Sequence, residues 1–126
     1  DHFPENCVGY SGTHDNSTIM GWYHLRKEQL NGQSDILERY LDHTTDASTL
    51  HWQLISMVFG SAAHTAIVPV QDILGLDDTA RMNVPGLAIG NWGWRLLPGQ
   101  LNPTVAAELR IVTEHTERLC LTGSQV

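Results

Sequence analysis

The chain has 126 residues, and its 7 Lys+Arg set against 14 Asp+Glu leave a formal charge of −7. That length suits one compact domain, and 41% hydrophobic with 17% charged residues describes a globular chain, not a disordered one. A net acidic chain with no Lys/Arg block is a poor binder of nucleic acid or anionic membrane, because it lacks the cations that release counterions; nor does any apolar run approach the ~18 residues that cross a bilayer.

The opening Asp1-His2-Phe3-Pro4 carries neither Met nor a targeting segment and reads as an excerpt of a longer polypeptide. His2 to Asn6 has no apolar period and reads as a loop. Val8 to Thr13 is short, nearly uncharged and glycine-bearing, as expected of a buried strand ending at His14 and Asp15. Asn16-Ser17-Thr18 offers N-cap side chains for a helix running to about Leu30, with Ile19 and Tyr23 on one face and Trp22 beside them. Asn31-Gly32 stops it, and a second helical pattern covers about Asp35 to Leu41.

The clearest helix is predicted over about Ser48 to Ala63, where Leu50, Leu54, Ile55, Val58, Phe59 and Ala62 repeat at helical spacing. Thr65 to Pro69 reads as a second buried strand. Gln71 to Gly99 is loop-rich, with Gly75, Pro85, Gly86, Gly90, Gly93, Pro98 and Gly99, and a segment so long and irregular in a compact domain is often functional. Asn102-Pro103 is a good Ncap–N1 pair for a last helix reaching about Cys120 and burying Val105, Leu109, Val112 and Leu119. Buried strands separated by helices are the pattern of a parallel α/β sheet. Two strands are too few to bury both faces of such a sheet, so the sequence reads as part of a barrel or doubly wound sheet.

Cys7 and Cys120, near opposite ends, form no disulfide framework and read as reduced thiols of a cytosolic protein. The seven histidines (2, 14, 24, 43, 51, 64 and 115) show no metal-ligand spacing, and no metal or other cofactor is expected. Ser11 lacks the glycine two residues on that a nucleophile elbow needs. No phosphate-cradling loop exists, since the only lysine, Lys27, lies in a predicted helix.

His14-Asp15-Asn16 is the more informative constellation, because catalytic groups of a parallel barrel project from the carboxyl ends of its strands. A carboxylate beside an imidazole suits a vicinal diol such as the 2- and 3-hydroxyls of a sugar; equally, an Asp or Asn here opens the following helix as its N-cap. Trp92 and Trp94 are candidates for stacking on a sugar face or for ordinary packing. Arg81 and Arg95 either clamp hydroxyls or close a loop by pairing with Asp77 or Asp78.

Tyr10-Ser11-Gly12-Thr13-His14-Asp15-Asn16 with Gly21-Trp22-Tyr23 resembles the region around the last catalytic carboxylate of the amylomaltases, the 4-α-glucanotransferases. Ala66 to Leu76, Ala80 to Gly86 and Gly90 to Arg95 resemble later segments of that family in the same order, so the likeness covers essentially the whole chain. It implies an α/β fold, with residues 1–126 as the C-terminal two strand–helix units of a (β/α)8 TIM barrel. It also implies a retaining double displacement in which the nucleophile and acid/base lie on strands absent here. Asp15 then matches the third, transition-state-stabilising carboxylate and His14 its imidazole neighbour, while Asn83 matches a position near the donor-sugar subsites. Asn16 and Trp92 join them as candidate substrate contacts.

Ser17, where many relatives carry Asp, and Gly93, in place of an Arg, depart from the pattern without touching the His14–Asp15 pair. The partners implied are an α-1,4-glucan donor and acceptor and the remainder of the barrel, with a cytoplasmic setting, or a plastid one in a plant-like source. Without that remainder the chain is expected to be inactive and to self-associate through its open strand edges. Two rival readings are a non-catalytic carbohydrate-binding or scaffold remnant of such a barrel, and half of a split enzyme completed by a second chain.

Overall fold

The computed structural model describes residues 4–30 and 47–119. The predicted helix at Asp35 to Leu41, Cys120 and the tail lie outside them. In chain order the described elements are β1 (Val8–Tyr10), α1 (Ile19–Leu30), a 3-10 turn (Ala47–Thr49), α2 (Leu50–Phe59), β2 (Thr65–Ile67), α3 (Val70–Ile73), a 3-10 turn (Asp78–Ala80) and α4 (Pro103–His115). Among the described residues, β1 and β2 form one parallel pair in the register Val8↔Thr65, Gly9↔Ala66, Tyr10↔Ile67. A parallel pair requires the chain to cross back to the same end of the sheet, and α1 and α2 lie within that crossover. The chain is therefore α/β, as its alternation of apolar strands and amphipathic helices predicts.

The core is built by Ile19 and Met20 of α1, Leu50 and Ile55 of α2, and Val112 of α4, with Tyr23, Phe59, Val68 and Ile73 packed against them. Both strands are shorter and more open than their apolar sequences suggest. Gly9 is buried against the turn after α2, where a Cβ on it would stand 3.4 Å from that of Ala63. Val8, Tyr10 and Ile67 stay 45%, 51% and 45% exposed, because a two-stranded sheet packed on one face has no second layer among the described residues.

β1 ends at Tyr10, not Thr13. One more contact follows, from Ser11 N–H to the Ile67 carbonyl at 3.4 Å, before Asn16 Oδ1 pulls the chain into a turn by accepting from the N–H and hydroxyl of Thr13, each at 2.8 Å.

α2 stops at Phe59, four residues before the predicted end, and Ala62 is exposed instead of buried. Its last carbonyl, that of Phe59, is claimed from outside the helix. Arg118 donates to the carbonyls of Phe59, Ser61, Ala63 and His64, tying the turn between α2 and β2 to the chain after α4.

Arg118 reaches them because α4 also stops early. Glu117 takes a left-handed φ of 58°, with its N–H on the Glu114 carbonyl at 3.1 Å and that of Arg118 on Thr113 at 2.9 Å, the paired bonds of a Schellman cap. A non-glycine in that region costs about 1–2 kcal/mol, which the four bonds of Arg118 offset. Of the apolar residues predicted to be buried along this last helix, only Val112 is fully so, while Val105, Leu109 and Leu119 are half-buried. Asn102 caps the other end as predicted, its Oδ1 accepting from Val105 N–H at 3.0 Å.

Candidate functional site

The loop from Ser11 to Thr18 joins the carboxyl end of β1 to the start of α1, and three separate side chains satisfy the first N–H groups of that helix. Thr18 is its cap, with Oγ1 accepting from Gly21 N–H at 3.0 Å. Asp78 Oδ1 accepts from Thr18 N–H at 2.9 Å, and Asp72 Oδ1 from Ile19 N–H at 2.8 Å. Neither Asp15 nor Asn16 opens the helix, so of the two readings of this segment the capping one is not realised. Asn16 instead closes the Thr13 turn.

Asp15 is thereby released from helix duty, and its side chain stays 48% exposed. His14 Nε2 stands 3.3 Å from Asp15 Oδ1, and Asn83 Nδ2 donates to the same oxygen at 2.5 Å. Among the described residues Asp15 Oδ2 has no protein partner, which leaves an acceptor for an incoming hydroxyl. The backbone doubles the join, since Asn83 N–H donates to the His14 carbonyl at 3.1 Å.

Arg81 holds the segment from below. Its Nη2 donates to the Asp15 carbonyl at 2.7 Å, Nη1 to Ser17 Oγ at 3.2 Å and Nε to the Asn83 carbonyl at 2.9 Å. Of the two roles open to Arg81 from the sequence, loop closure is the one observed, although its principal partners are backbone carbonyls and Ser17, with Asp78 a longer 4.0 Å away. Arg95 does the same locally, donating to the carbonyls of Trp92 and Trp94 at 2.8 and 2.7 Å.

Trp92 adopts a φ of +63°, a left-handed conformation unusual for a bulky residue and worth a cost of about 1–3 kcal/mol. Its N–H on the Met82 carbonyl at 2.6 Å and the Arg95 contact hold it there. The result is a half-exposed indole whose ring centre lies 5.3 Å from that of His14, tilted by 40°. Four of the five sequence candidates (His14, Asp15, Asn83 and Trp92) thus meet in one cluster, although residues 15 and 83 are 68 positions apart. The fifth, Asn16, serves the same loop through Thr13.

Beside the cluster is an open hollow of about 140 Å³, walled by Gly12, His14, Ser17, Asp72, Arg81 and Met82 among others. Asp15, Asn83 and Trp92 are not on its wall. One residue of its wall is one the sequence reading missed. Asp72 is 2% exposed, and its Oδ2 accepts from Ser11 Oγ at 2.7 Å while Oδ1 takes Ile19 N–H. Burial pushes its carboxyl up from the ordinary value, opposed by the Ile19 and Ser11 hydrogen bonds and by nearby His51.

His51 is itself buried, and burial lowers its pKa against the pull of Asp72. Gly75, at φ +62°, lies flat against the His51 ring, where a Cβ would come within 2.9 Å. The only sequence signal for Asp72 is its place in the polar pair that follows the second apolar strand. Among the described residues no group of three or more His, Cys, Asp or Glu side chains is arranged to hold a metal ion.

Comparison with known proteins bears on what this cluster is for. The family model described as 4-alpha-glucanotransferase, a glycoside hydrolase family, matches residues 1–101. The chain belongs to the 4-alpha-glucanotransferase family. A 4-alpha-glucanotransferase of Synechocystis is 46% identical over 109 residues, which cover 86% of this chain and 21% of that protein. One from Thermus thermophilus is 43% identical over 116 residues, covering 89% of this chain and 23% of the relative.

Among solved structures, an amylomaltase from Streptococcus agalactiae in complex with acarbose superimposes with a TM-score of 0.76 at 28% identity, over 92% of this chain and 23% of that one. The chain therefore spans about a fifth of the length of the 4-alpha-glucanotransferases it matches.

Proposed function

We propose that this chain is the C-terminal two strand–helix units of a (β/α)8 4-alpha-glucanotransferase barrel, residues 1–126. In that reading it contributes His14 and Asp15 to the retaining transfer of α-1,4-glucan segments from a donor to an acceptor. The observation that carries the reading is the exposed carboxylate of Asp15, spared from capping α1 and held by His14 and Asn83 in the loop that follows the carboxyl end of a parallel strand. As the glycosidic bond breaks, the sugar ring turns oxocarbenium-like and its hydroxyls become more acidic. The hydrogen bonds that Asp15 accepts from the 2- and 3-hydroxyls, and those that His14 makes with them, strengthen at that moment and so favour the transition state over the ground state. Asn83 and Trp92 contact the sugar from the same side, and Asn16 supports the loop that carries the pair.

The nucleophile and the acid/base come from the rest of the barrel. Two features support that division. The Asp15 carboxylate stands 48% exposed and outside the walls of the 140 Å³ hollow, so a glucose unit bound to it needs further walls. The exposed Val8–Tyr10–Ile67 face also needs a second layer. We place the enzyme in the cytoplasm, or in a plastid if the source is plant-like.

The test is disproportionation of maltotriose into glucose and longer maltooligosaccharides. The complete polypeptide carrying this chain is expected to perform it and the 126-residue chain by itself to perform none. Transfer by the isolated chain, or none by the complete polypeptide, would refute the assignment.

A further inference from the structure

Asp72 is bonded to both ends of the segment that bears His14 and Asp15. One carboxylate oxygen takes the hydroxyl of Ser11, where β1 gives way to the loop, and the other takes the N–H of Ile19, where α1 begins. Those bonds are 2.7 and 2.8 Å long, and the carboxylate they share is almost wholly out of water. We propose that Asp72 is a positioning residue for glucan transfer, a brace that fixes the span from Ser11 to Ile19 and thereby aims the Asp15 carboxylate. This rests on the role of Asp15 proposed above.

The physical argument is one of leverage. A loop of seven residues between two fixed ends has few conformations, and the inner contacts of Arg81 and Asn83 select one of them. With one end released, Asp15 shifts relative to groups supplied by the rest of the barrel. A displacement of about 1 Å at a reacting centre can cost on the order of a hundredfold in rate. A carboxylate is suited to the task because its two oxygens accept from two donors at once in a buried setting, where an unmet N–H would be costly. Asparagine can substitute in geometry, its Oδ1 accepting from Ile19 N–H and its Nδ2 donating to the Ser11 hydroxyl.

The experiment uses the complete polypeptide, with maltotriose as substrate and thermal unfolding measured alongside. Asp72→Ala is expected to lower kcat by tenfold or more with KM within about twofold, and Ser11→Ala, which removes one arm and leaves no large cavity, by about three- to tenfold. Asp72→Asn should retain a rate within about threefold of wild type. The decisive arm is the double variant. In an Asp15→Asn background, Asp72→Ala should cost less than about twofold further, because there is no carboxylate left to aim.

An undiminished cost in that background, with Asp15→Asn itself severely slowed, overturns the brace and leaves the role of Asp15 standing. A wild-type rate for Asp15→Asn overturns both. Should Asp72→Ala fail to fold, Ser11→Ala and its double with Asp15→Asn carry the same comparison, and an additive loss there is equally contrary.

Discussion

Replacing Arg81 by Lys separates charge from geometry at the centre of the site. Its guanidinium reaches three acceptors in different directions: the Asp15 carbonyl at 2.7 Å, Ser17 Oγ at 3.2 Å and the Asn83 carbonyl at 2.9 Å. Hydrogen bonds to a charged group are worth about 1.5–3 kcal/mol each, so three would total roughly 4.5–9 kcal/mol if fully dry. The side chain is 20% exposed, the bond to the Asp15 carbonyl is open to solvent and the other two are only partly buried. Water therefore replaces much of what is lost, leaving about 2–3 kcal/mol, or roughly 30–150-fold in the population of the ordered loop.

A lysine ammonium keeps the charge but lacks the planar fork. In the complete polypeptide, Arg81→Lys should therefore lower kcat/KM for maltotriose at least tenfold and recover only a few-fold over Arg81→Met. The assay is initial-rate glucose release, at a temperature where unfolding scans show both variants native. A folded Arg81→Lys enzyme within twofold of wild type would refute the claim that three-point geometry, not positive charge, orders the loop.

Gly21→Ala should destabilise by about 1–3 kcal/mol, because the new Cβ would fall 2.2 Å from Asp78 Oδ1 and expel the acceptor of Thr18 N–H. Denaturant midpoints will read this, and an unchanged midpoint would contradict it. His51 has a folded pKa below the ordinary 6.5, so the unfolded chain binds more protons as pH falls through that value, and stability drops below about pH 6.5 until the folded imidazole also titrates. Asp72 acts in the opposite sense: its raised pKa erodes stability as pH rises from the ordinary 3.8 toward its folded value. His51→Gln should accordingly flatten the decline in midpoint between pH 7 and pH 5, and a variant that tracks wild type across that interval would show that His51 is not its source.

What could be read from the sequence was whatever depends on near neighbours. The periodicity of α2, the Asn102-Pro103 start of α4 and the cap chemistry before α1 are local, and all three hold. The ends of α2 and α4 were misjudged because they are set at long range. Arg118 draws off the last carbonyl of α2, that of Phe59, from 59 residues away, and a left-handed Glu117 ends α4 where no glycine marks a stop. Burial of the strands was overestimated because an apolar strand reads the same whether or not its second face is covered.

At the site, the placement of His14 and Asp15 between the first strand and α1 was legible, though β1 stops at Tyr10, and resemblance supplied Asn83. No spacing rule could have announced that Asn83 would bond the Asp15 carboxylate across 68 residues or that Asp72 would brace the loop beneath it. Trp92 could be named as a candidate, yet its left-handed backbone follows from the Met82 and Arg95 contacts, which only the folded loop creates.

The turnover of Asp15→Asn in the complete polypeptide addresses the account at its centre. Asparagine preserves the shape and, with Oδ1 retained, the contact to Asn83, but it removes the charge that the proposed role sets against the developing oxocarbenium ion. The account predicts a kcat reduced by about a hundredfold to a thousandfold, as for other preorganised transition-state contacts, with an unchanged unfolding temperature. A folded Asp15→Asn enzyme turning over maltotriose at close to the wild-type rate would contradict it.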